Sequence, residues 1–411
     1  MSVEEKRTGS SFEELAQGAR AAGKLALDTE FMGEGRYRTL LCLIQLAIPD
    51  AGEAGGRIVI VDPLEEDLDG APLVAVLADP AIQVVVHAGR QDIALIRRRF
   101  HTEVTNVFDT QIAAGFVGLG AQTSYESLLA EALGVRVAKS ASFTRWDARP
   151  LSPEQLSYAR EDVVHLLELA GELERRLQEL GRLEWAREEC EPLALSSDER
   201  EPETILARLP RVASLSPAAR TVARELVQWR ERTAAQADRP VQSILSDVAL
   251  MEIAKRKPSS RKELERIRGV GAGAARRRAE EILDAVRHAR GLPPDPGPEL
   301  SRPPAAKPED APLVALAEAL LRARAREAGL AYELLASRAD LQAIVAAWRT
   351  GALTGEEATG PGGVRGGEAA VRTMRGWRRE LVGEELLALL DGRLSLSVRG
   401  GGLNVDYSMR L

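Results

Sequence analysis

Residues 24–31 read KLALDTEF, and this short stretch decides the fold. Its apolar residues predict a buried β-strand. Asp28 and Glu30 are two residues apart, so both side chains are expected on one face of that strand. Two acids side by side on an apolar strand are unfavourable unless a positive group neutralises them, and Mg²⁺ prefers carboxylate oxygens. Simple solvation of both acids at the strand end is the structural alternative.

The segments around this strand predict a mixed sheet flanked by helices. Further buried strands are predicted at 40–48 (LLCLIQLAI), 57–62 (RIVIVD) and 82–87 (IQVVVH). The links between the first three strands are too short for parallel crossovers, so an antiparallel meander is expected. Helices are predicted at 71–79, 91–100, 124–134 and 152–180. A meander followed by alternating helices and strands is typical of an α/β domain.

Three more site candidates lie on predicted helices. Asp92 follows the strand at 82–87, at the end of the sheet where ligands gather in α/β folds. Its structural alternative is the favourable position of any acid at a helix N-terminus. Tyr158 and Asp162 are four residues apart in one predicted helix, so they share a face. A solvated acid beside a tyrosine is the alternative for that pair.

Together these motifs resemble a known family. D-x-E on a strand, Asp after a later strand and Y-x-x-x-D on a helix are similar to the three blocks of the DEDD exonucleases, in the tyrosine subclass. The segments DTEF, LIQL, VVVHAGRQD, FDTQIAA, RWDARPLS and SYAREDV follow the order and spacing of ribonuclease D over nearly all of residues 24–180. Arg145-Trp146 and Arg38-Thr39-Leu40 depart from that family, which commonly has Asp-Trp and an aromatic-rich stretch there.

The resemblance implies a ribonuclease H-like exonuclease fold and hydrolysis with two divalent metal ions, Mg²⁺ or Mn²⁺. Asp28, Glu30 and Asp162 would hold the ion that activates water. Asp28 would also bridge to the second ion, which Asp92 supports, and Tyr158 would orient the attacking water. Two such ions stabilise the attacking and leaving oxygens of an in-line displacement. Nucleoside 5′-monophosphates released from a 3′ end are the expected products.

Weaker candidates lie near these motifs. Gln45 interrupts an apolar strand, where a core hydrogen bond is expected, with a contact to the terminal nucleotide as the alternative. His87 is expected to be structural, with a nucleic-acid contact as its alternative. The others are Asp109 and His165, expected to be structural, and Lys139 and Arg149, candidate phosphate contacts that are otherwise solvated.

Residues 204–290 resemble an HRDC module, the helical domain shared by helicases and ribonuclease D. The segment IRGVGAG (267–273) places glycines between two helices, so backbone N–H groups and a helix N-terminus could receive a phosphate. Basic side chains around it would add salt-dependent affinity that ignores sequence. The expected nucleic-acid contacts are Lys255, Arg256, Lys257, Arg268, Gly269, Gly271, Arg276, Arg277 and Arg278. An ordinary helix hairpin with solvated arginines is the alternative.

The expected organisation has four parts. They are a 3′→5′ exonuclease domain at 1–195, an HRDC domain at 196–292, a Pro-rich linker at 293–310 and a second, diverged HRDC-like helical domain at 311–411. In the last part, residues 351–370 are Gly-rich and are expected to form a loop. A helix is predicted at 380–392, followed by a strand pair near LSLSV and LNVDYSM.

Composition excludes several classes of protein. Of 411 residues, 45% are hydrophobic and 28% charged, as in soluble globular proteins. Two cysteines, Cys42 and Cys190, exclude a disulfide scaffold and a four-cysteine zinc site. The most apolar stretch, 40–48, is too short to span a bilayer, and the acidic N-terminus does not resemble a secretory signal. A cytoplasmic location and no membrane contact are therefore expected.

Charge is unevenly distributed along the chain. Residues 1–195 hold 20 Lys and Arg against 32 Asp and Glu, a net of −12, whereas residues 254–290 hold 12 against 5, a net of +7. An acidic metal site in front of a basic polyanion-binding module would produce this distribution, and so would two differently solvated surfaces.

The expected function is metal-dependent 3′→5′ exoribonuclease activity, with RNA, and in particular 3′-extended tRNA precursors, as the partner. A monomer is expected, and no ATP dependence, because the sequence has no Gly-Lys phosphate loop. One alternative is a DNA-directed 3′→5′ exonuclease of the same fold, because only contacts to the 2′-hydroxyl distinguish RNA from DNA. The other is a non-catalytic RNA-binding protein, against which the complete set of acids argues.

Overall fold

A mixed sheet contains the DTE motif in a computed structural model, which describes residues 8–49, 56–65, 68–137, 145–270, 276–297, 307–351 and 371–407. Its strands are β1 Lys24–Met32, β2 Leu40–Ile48, β3 Arg57–Val61, β4 Gln83–Val86 and β5 Val107–Asp109. The strand order is β3-β2-β1-β4-β5. The first three strands pair antiparallel, and β4 and β5 join parallel to β1. This arrangement confirms the predicted meander and mixed sheet.

Helices cover both faces of the sheet. They are α1 Thr8–Ala22, α2 Ala71–Leu77, α3 Arg90–Phe100, α4 Thr110–Phe116, α5 Tyr125–Ala132, α6 Pro153–Val164, α7 Leu166–Glu179 and α8 Leu183–Cys190. Leu25 and Leu27 of β1 pack on one face with Phe12 of α1. Ala26 lies on the other face, in the same core as Leu169 of α7. Because alternate residues of β1 are buried on opposite sides, its apolar positions are nearly continuous.

The single helix predicted at 152–180 is wrong, because the structure has two helices that meet at His165. The backbone of His165 has φ −107° and ψ 2°, outside the helical range, and it both ends α6 and precedes α7. Val163 and Leu166, on either side of the break, are both buried in the core. Both helices thus bury apolar residues next to the break. No Gly or Pro marks this break in the sequence.

The described residues between 196 and 290 are mainly helical, as expected. Their helices are α9 Pro202–Arg208, α10 Pro217–Ala237, α11 Val241–Ile244, α12 Asp247–Arg256, α13 Arg261–Glu265 and α14 Ala279–Arg290. Asp295, in the predicted linker, is buried and forms ion pairs with Arg220 (3.0 Å) and Arg224 (2.8 Å) of α10. The first residues of the predicted linker therefore pack on α10, whereas residues 298–306 lie outside the described ranges.

The loop between β1 and β2 contacts this helical region. The Tyr37 hydroxyl donates to Glu231 Oε2 of α10 at 3.0 Å. Arg36 forms an ion pair with Asp238, the residue that ends α10, at 2.9 Å. The strand that carries Asp28 and Glu30 thus continues into a loop anchored on α10.

The C-terminal residues pack on the first domain. They form α15 Ala311–Ala328, α16 Tyr332–Leu335, α17 Arg338–Arg349, α18 Gly376–Arg378, a π-helix Arg379–Gly383, α19 Glu384–Leu390, and the antiparallel strands β6 Leu394–Arg399 and β7 Gly402–Tyr407. Trp377 stacks on Trp185, with ring centroids 5.2 Å apart, and meets Phe116 edge-on at 5.0 Å. The two regions therefore share one hydrophobic core. The predicted C-terminal strand pair is confirmed, and residues 352–370 of the predicted Gly-rich loop lie outside the described ranges.

Short 3₁₀ helices also occur at Glu191–Leu195, Val212–Ser214, Pro308–Asp310 and Arg372–Met374. Among the described helices, none has both the length and the apolar character that crossing a membrane requires.

Candidate active site

Asp28 and Glu30 lie on the same face of β1, and both are half-buried. Asp28 is paired with Gln45 of β2, and Glu30 with Leu43. A register shift follows between Glu30 and Phe31, where the strand pairing becomes irregular. The two-residue periodicity of the strand therefore places both acids beside each other, as the sequence predicted.

Asp92 approaches from the first turn of α3 and is 7% exposed. The hydroxyl of Thr29, on the opposite face of β1 from Asp28, donates to the Asp92 carboxylate. Gly89 precedes α3, and a Cβ there would lie 2.5 Å from the Val86 side chain. Only glycine lets the turn pack this closely on β4 and so bring Asp92 to the end of β1.

Asp109 holds that turn in place. Its carboxylate accepts hydrogen bonds from the backbone N–H groups of Ala88 (3.0 Å) and Gly89 (2.9 Å). The same side chain caps α4 by accepting from Gln111 N at 2.8 Å. Asp109 is 2% exposed, so these contacts agree with the structural role expected for it.

Tyr158 and Asp162 share one face of α6, whose start is fixed by a capping box between Ser152 and Gln155. The ring of Tyr158 lies 5.9 Å from that of buried Trp146. Asp162 Oδ2 is buried and has no hydrogen-bond partner among the described residues. A buried carboxylate oxygen without a donor is unfavourable unless a cation neutralises it.

The four acids affect one another electrostatically. Burial, followed by the negative charges of the other three acids, raises the pKa of Asp28 well above its usual range. Burial and the charges of Asp162 and Asp92 raise the pKa of Glu30 to about 8. Burial is also the main cause that raises the pKa of Asp162 to about 7 and that of Asp92 to about 6. Negative charge is therefore concentrated and poorly compensated at this end of the sheet.

This donor set fits an oxygen-preferring divalent cation in its chemistry. It consists of carboxylates, the ligands that Mg²⁺ and Mn²⁺ favour, and one of their oxygens is buried without a partner. Within the described ranges, however, no three acidic, His or Cys side chains are close enough together to form a ready-made metal cage. The acids influence one another's pKa, so they lie near one another at this end of the sheet.

Sequence reasoning missed Glu126 and Tyr125, which begin α5 beside the acids. The charge of Glu126 raises the pKa of Asp162 and that of Tyr158, after burial, which is the largest cause for both. The ring of Tyr125 lies 5.5 Å from the imidazole of His87. The predicted helix at 124–134 was the available signal, but nothing in its sequence shows that it starts next to Asp162.

The structure gives His87 and Arg149 protein partners. His87 Nδ1 lies 2.9 Å from the Thr110 hydroxyl. Arg149 forms an ion pair with Asp62 and donates to the backbone carbonyls of Cys42 (2.8 Å) and Trp146 (2.7 Å). The guanidinium of Arg149 therefore fastens the loop that bears Trp146 onto the sheet, and its suggested phosphate contact stays a prediction.

The core hydrogen bond expected for Gln45 is not formed among the described residues. Gln45 is 0% exposed, and neither its Nε2 nor its Oε1 has a hydrogen-bond partner among the described residues. Its neighbour on β3 is the apolar Ile60, which offers no polar side-chain atom. His165 Nδ1 faces Glu168 at 3.5 Å on the helix surface, and Lys139 lies outside the described ranges.

The basic residues expected to contact nucleic acid lie around the ends of α12, α13 and α14. Arg256 and Lys257 line a surface cavity of about 400 Å³ together with Arg290. Several of the others face acids: Arg276 lies 3.5 Å from Glu265, and Arg278 lies 3.3 Å from Glu281. The remaining expected contacts are Lys255, Arg268, Gly269 and Arg277, which are described, and Gly271, which lies outside the described ranges.

Two family models match the chain. One, described as a 3′-5′ exonuclease, matches residues 4–178, and the other, an HRDC domain, matches residues 219–286. The first match contains the four acids and Tyr158, and the second contains the cavity-lining Arg256 and Lys257.

Named relatives match nearly the whole chain. A ribonuclease D from Gluconacetobacter diazotrophicus is 37% identical over 379 residues, which cover 92% of this chain and 90% of the relative. A ribonuclease D from Granulibacter bethesdensis is 36% identical over 92% of this chain and 89% of the relative. Among solved structures, the Escherichia coli RNase D, an exoribonuclease involved in structured RNA processing, superposes with a TM-score of 0.75. It is 28% identical and covers 94% of this chain and 97% of its own.

Proposed function

The chain belongs to the ribonuclease D family of 3′→5′ exoribonucleases, and from this premise we propose that it trims the 3′ trailers of tRNA precursors in a reaction that depends on divalent cations. We expect it to act in the cytoplasm, as a monomer and without ATP. Each cycle would release the terminal nucleotide as a nucleoside 5′-monophosphate. Water adds to the phosphorus, the P–O3′ bond breaks, and the shortened chain keeps a free 3′-hydroxyl.

The observation that carries this proposal is the convergence of four acids on one end of the sheet. Asp28, Glu30 and Asp162 would hold the cation next to the attacking water. Asp28 would also contact a second cation, with Asp92 in support. When bound, two such ions stabilise the charge that develops on the attacking and leaving oxygens.

Tyr158 would orient the attacking water. Burial, and then the charges of Asp162 and Glu30, raise the pKa of the Tyr158 phenol, so it stays protonated near neutral pH. A protonated phenol can donate to one oxygen while its own oxygen accepts from water. Contact with Trp146, which Arg149 fastens to the sheet, would keep the ring in place during the reaction.

The helical region would hold the body of the RNA while its 3′ end reaches the acids. Lys257 and Arg290 meet at one cavity, where the Arg290 guanidinium donates to the Lys257 carbonyl. Contacts between such cations and phosphates are salt-dependent and largely independent of sequence. This arrangement suits structured RNAs that differ in sequence but share an accessible 3′ end.

Digestion of three matched substrates tests the proposed substrate class. They are a tRNA with a 3′ extension, a single-stranded RNA of the same extension sequence and the corresponding DNA, each with Mg²⁺ or Mn²⁺. We expect stepwise shortening of the tRNA extension that slows near the mature end, with slower digestion of DNA. Equal or faster digestion of DNA would assign the chain to DNA metabolism. Binding of RNA without digestion of any substrate would make it a binding protein.

A further inference from the structure

Gln45 is a buried polar residue without a described partner. It interrupts the apolar strand β2, is 0% exposed, and has no hydrogen bond to either amide atom from any described residue. Folding removes such an amide from water without replacing its hydrogen bonds, which is unfavourable. A leucine or methionine would fill the same place without this cost, so a function of the amide is indicated.

The register of the sheet places Gln45 directly opposite Asp28. Paired residues of antiparallel strands project to the same face, with Cβ atoms about 4.5–5.5 Å apart. On its other side Gln45 is paired with the apolar Ile60. Asp28 is thus the one paired neighbour of Gln45 that has a polar side chain.

The layer above Gln45 is formed by α6, the helix that bears Tyr158 and Asp162. Leu43, two residues from Gln45 on the same strand, packs in one cluster with Ala159 of α6. The amide therefore lies between the sheet and α6, beside the acids and out of reach of bulk water. Gln45 is 0% exposed, so in this structure its amide faces the protein interior rather than solvent.

We propose that Gln45 is a positioning residue whose amide N–H donates to the carboxylate of Asp28 when that carboxylate binds a divalent cation. This inference rests on the proposed function, in which Asp28 is a cation ligand. One carboxylate oxygen would accept from Nε2, which leaves the other directed at the cation. Hydrogen bonds to ligating carboxylates fix their orientation and are worth about 10–100-fold in metal affinity.

Gln45→Met tests the inference, because methionine has nearly the same shape but cannot donate. We expect the melting temperature to stay equal or to rise, since an unsatisfied amide is removed, while the Kd for Mn²⁺ rises about 10–100-fold in a titration of the full-length chain. The rate of RNA shortening should recover at saturating Mn²⁺. Gln45→Leu provides a second apolar substitution if methionine disturbs folding.

Two controls separate this inference from a packing effect and from the proposed function. Leu46→Met changes the neighbouring residue on the opposite face of β2 and should leave the Kd for Mn²⁺ unchanged. Asp28→Asn should abolish tight Mn²⁺ binding. An unchanged Kd in Gln45→Met, beside a loss in Asp28→Asn, would overturn the positioning role alone. Absence of Mn²⁺ binding by the unmodified chain would overturn cation dependence and the positioning role together.

Discussion

The surroundings of Tyr158 are formed by several segments that are distant from one another in the sequence. Its hydroxyl lies near the four acids. Burial is the largest cause that raises the pKa of the phenol, and the charge of Asp162 is the second. Its ring contacts Trp146, which is held by Arg149 from the same loop. The ring therefore packs against Trp146, and the hydroxyl is the polar part of the side chain that lies near the acids.

Replacing Tyr158 with Phe should separate these two parts. The ring contact with Trp146 stays, so we expect a folded protein with unchanged RNA affinity. Loss of the hydroxyl should lower the rate of the chemical step by about 100-fold or more, as for other positioned proton-donating groups. Single-turnover digestion of RNA measures that rate, with Tyr332→Phe on distant α16 as the matched control. Full activity in Tyr158→Phe would remove the hydroxyl from the reaction.

Among single residues, the sequence predicted the pairs of site residues that lie on the same strand or the same helix. Asp28 and Glu30 follow strand periodicity, and Tyr158 and Asp162 follow helix periodicity. Glu126 was not identified, and Gln45 was identified without its pairing to Asp28, because both features depend on contacts across elements. The register between β1 and β2 places Gln45 against Asp28, and no local pattern specifies it.

At the scale of elements, the turn between β4 and α3 is the critical connection. It brings Asp92 to the acids, and it depends on the close approach of Gly89 to Val86 and on the hydrogen bonds to Asp109. Asp109 also caps α4. Its carboxylate therefore holds the starts of both α3 and α4 at the end of the sheet.

Removing that carboxylate should therefore cost more than removing an ordinary helix cap. Asp109→Ala leaves the N–H groups of Ala88 and Gly89 unpaired and uncaps α4, so we expect the free energy of unfolding to fall by about 2–4 kcal/mol. Ser124→Ala removes the exposed cap of α5 and should cost only about 1 kcal/mol. Urea denaturation compares the two variants, and equal losses would contradict the role of Asp109 in the turn.

Helix boundaries show where sequence patterns lose information. The strands β1 and β2 were predicted within one residue, since their apolar runs are bounded by glycine and polar segments. The break at His165 was missed because apolar spacing continues past this residue, while Pro153 lies at the start of α6 and Gly171 lies inside α7, away from the break. Packing of α6 and α7 on different parts of the core decides that break, and packing is not visible in a local window.

At the scale of the whole molecule, the C-terminal residues complete the core of the catalytic part. Phe116 and Trp185 of the first domain pack on Trp377. Arg182 donates to the Phe116 carbonyl and also to the carbonyl of Ala328 in α15. Sequence patterns identified the helices from residue 311 onward, but not which surface they cover, since that depends on contacts between residues far apart in the chain.

A chain that ends at residue 297 should therefore be destabilised in its catalytic part. Loss of the partner residues exposes Phe116 and Trp185, and exposed apolar area of this kind lowers stability and promotes aggregation. We expect a lower melting temperature and aggregation on concentration, measured by thermal denaturation and size-exclusion chromatography. A chain that ends at residue 394 loses only the terminal hairpin and keeps Trp377, so it should be affected much less. An unchanged melting temperature in the shorter chain would contradict a shared core.

The most direct test of the account is the digestion of a 5′-labelled single-stranded RNA by the unmodified chain and by Asp28→Asn in Mg²⁺. Asp79→Asn serves as the matched control, because Asp79 is a half-buried acid away from the site and its replacement can still accept from Ala81 N. We expect a ladder of products shortened one nucleotide at a time from the 3′ end, present in the control and absent in Asp28→Asn. An equal ladder in Asp28→Asn would contradict the assignment of catalysis to the acids at the end of the sheet.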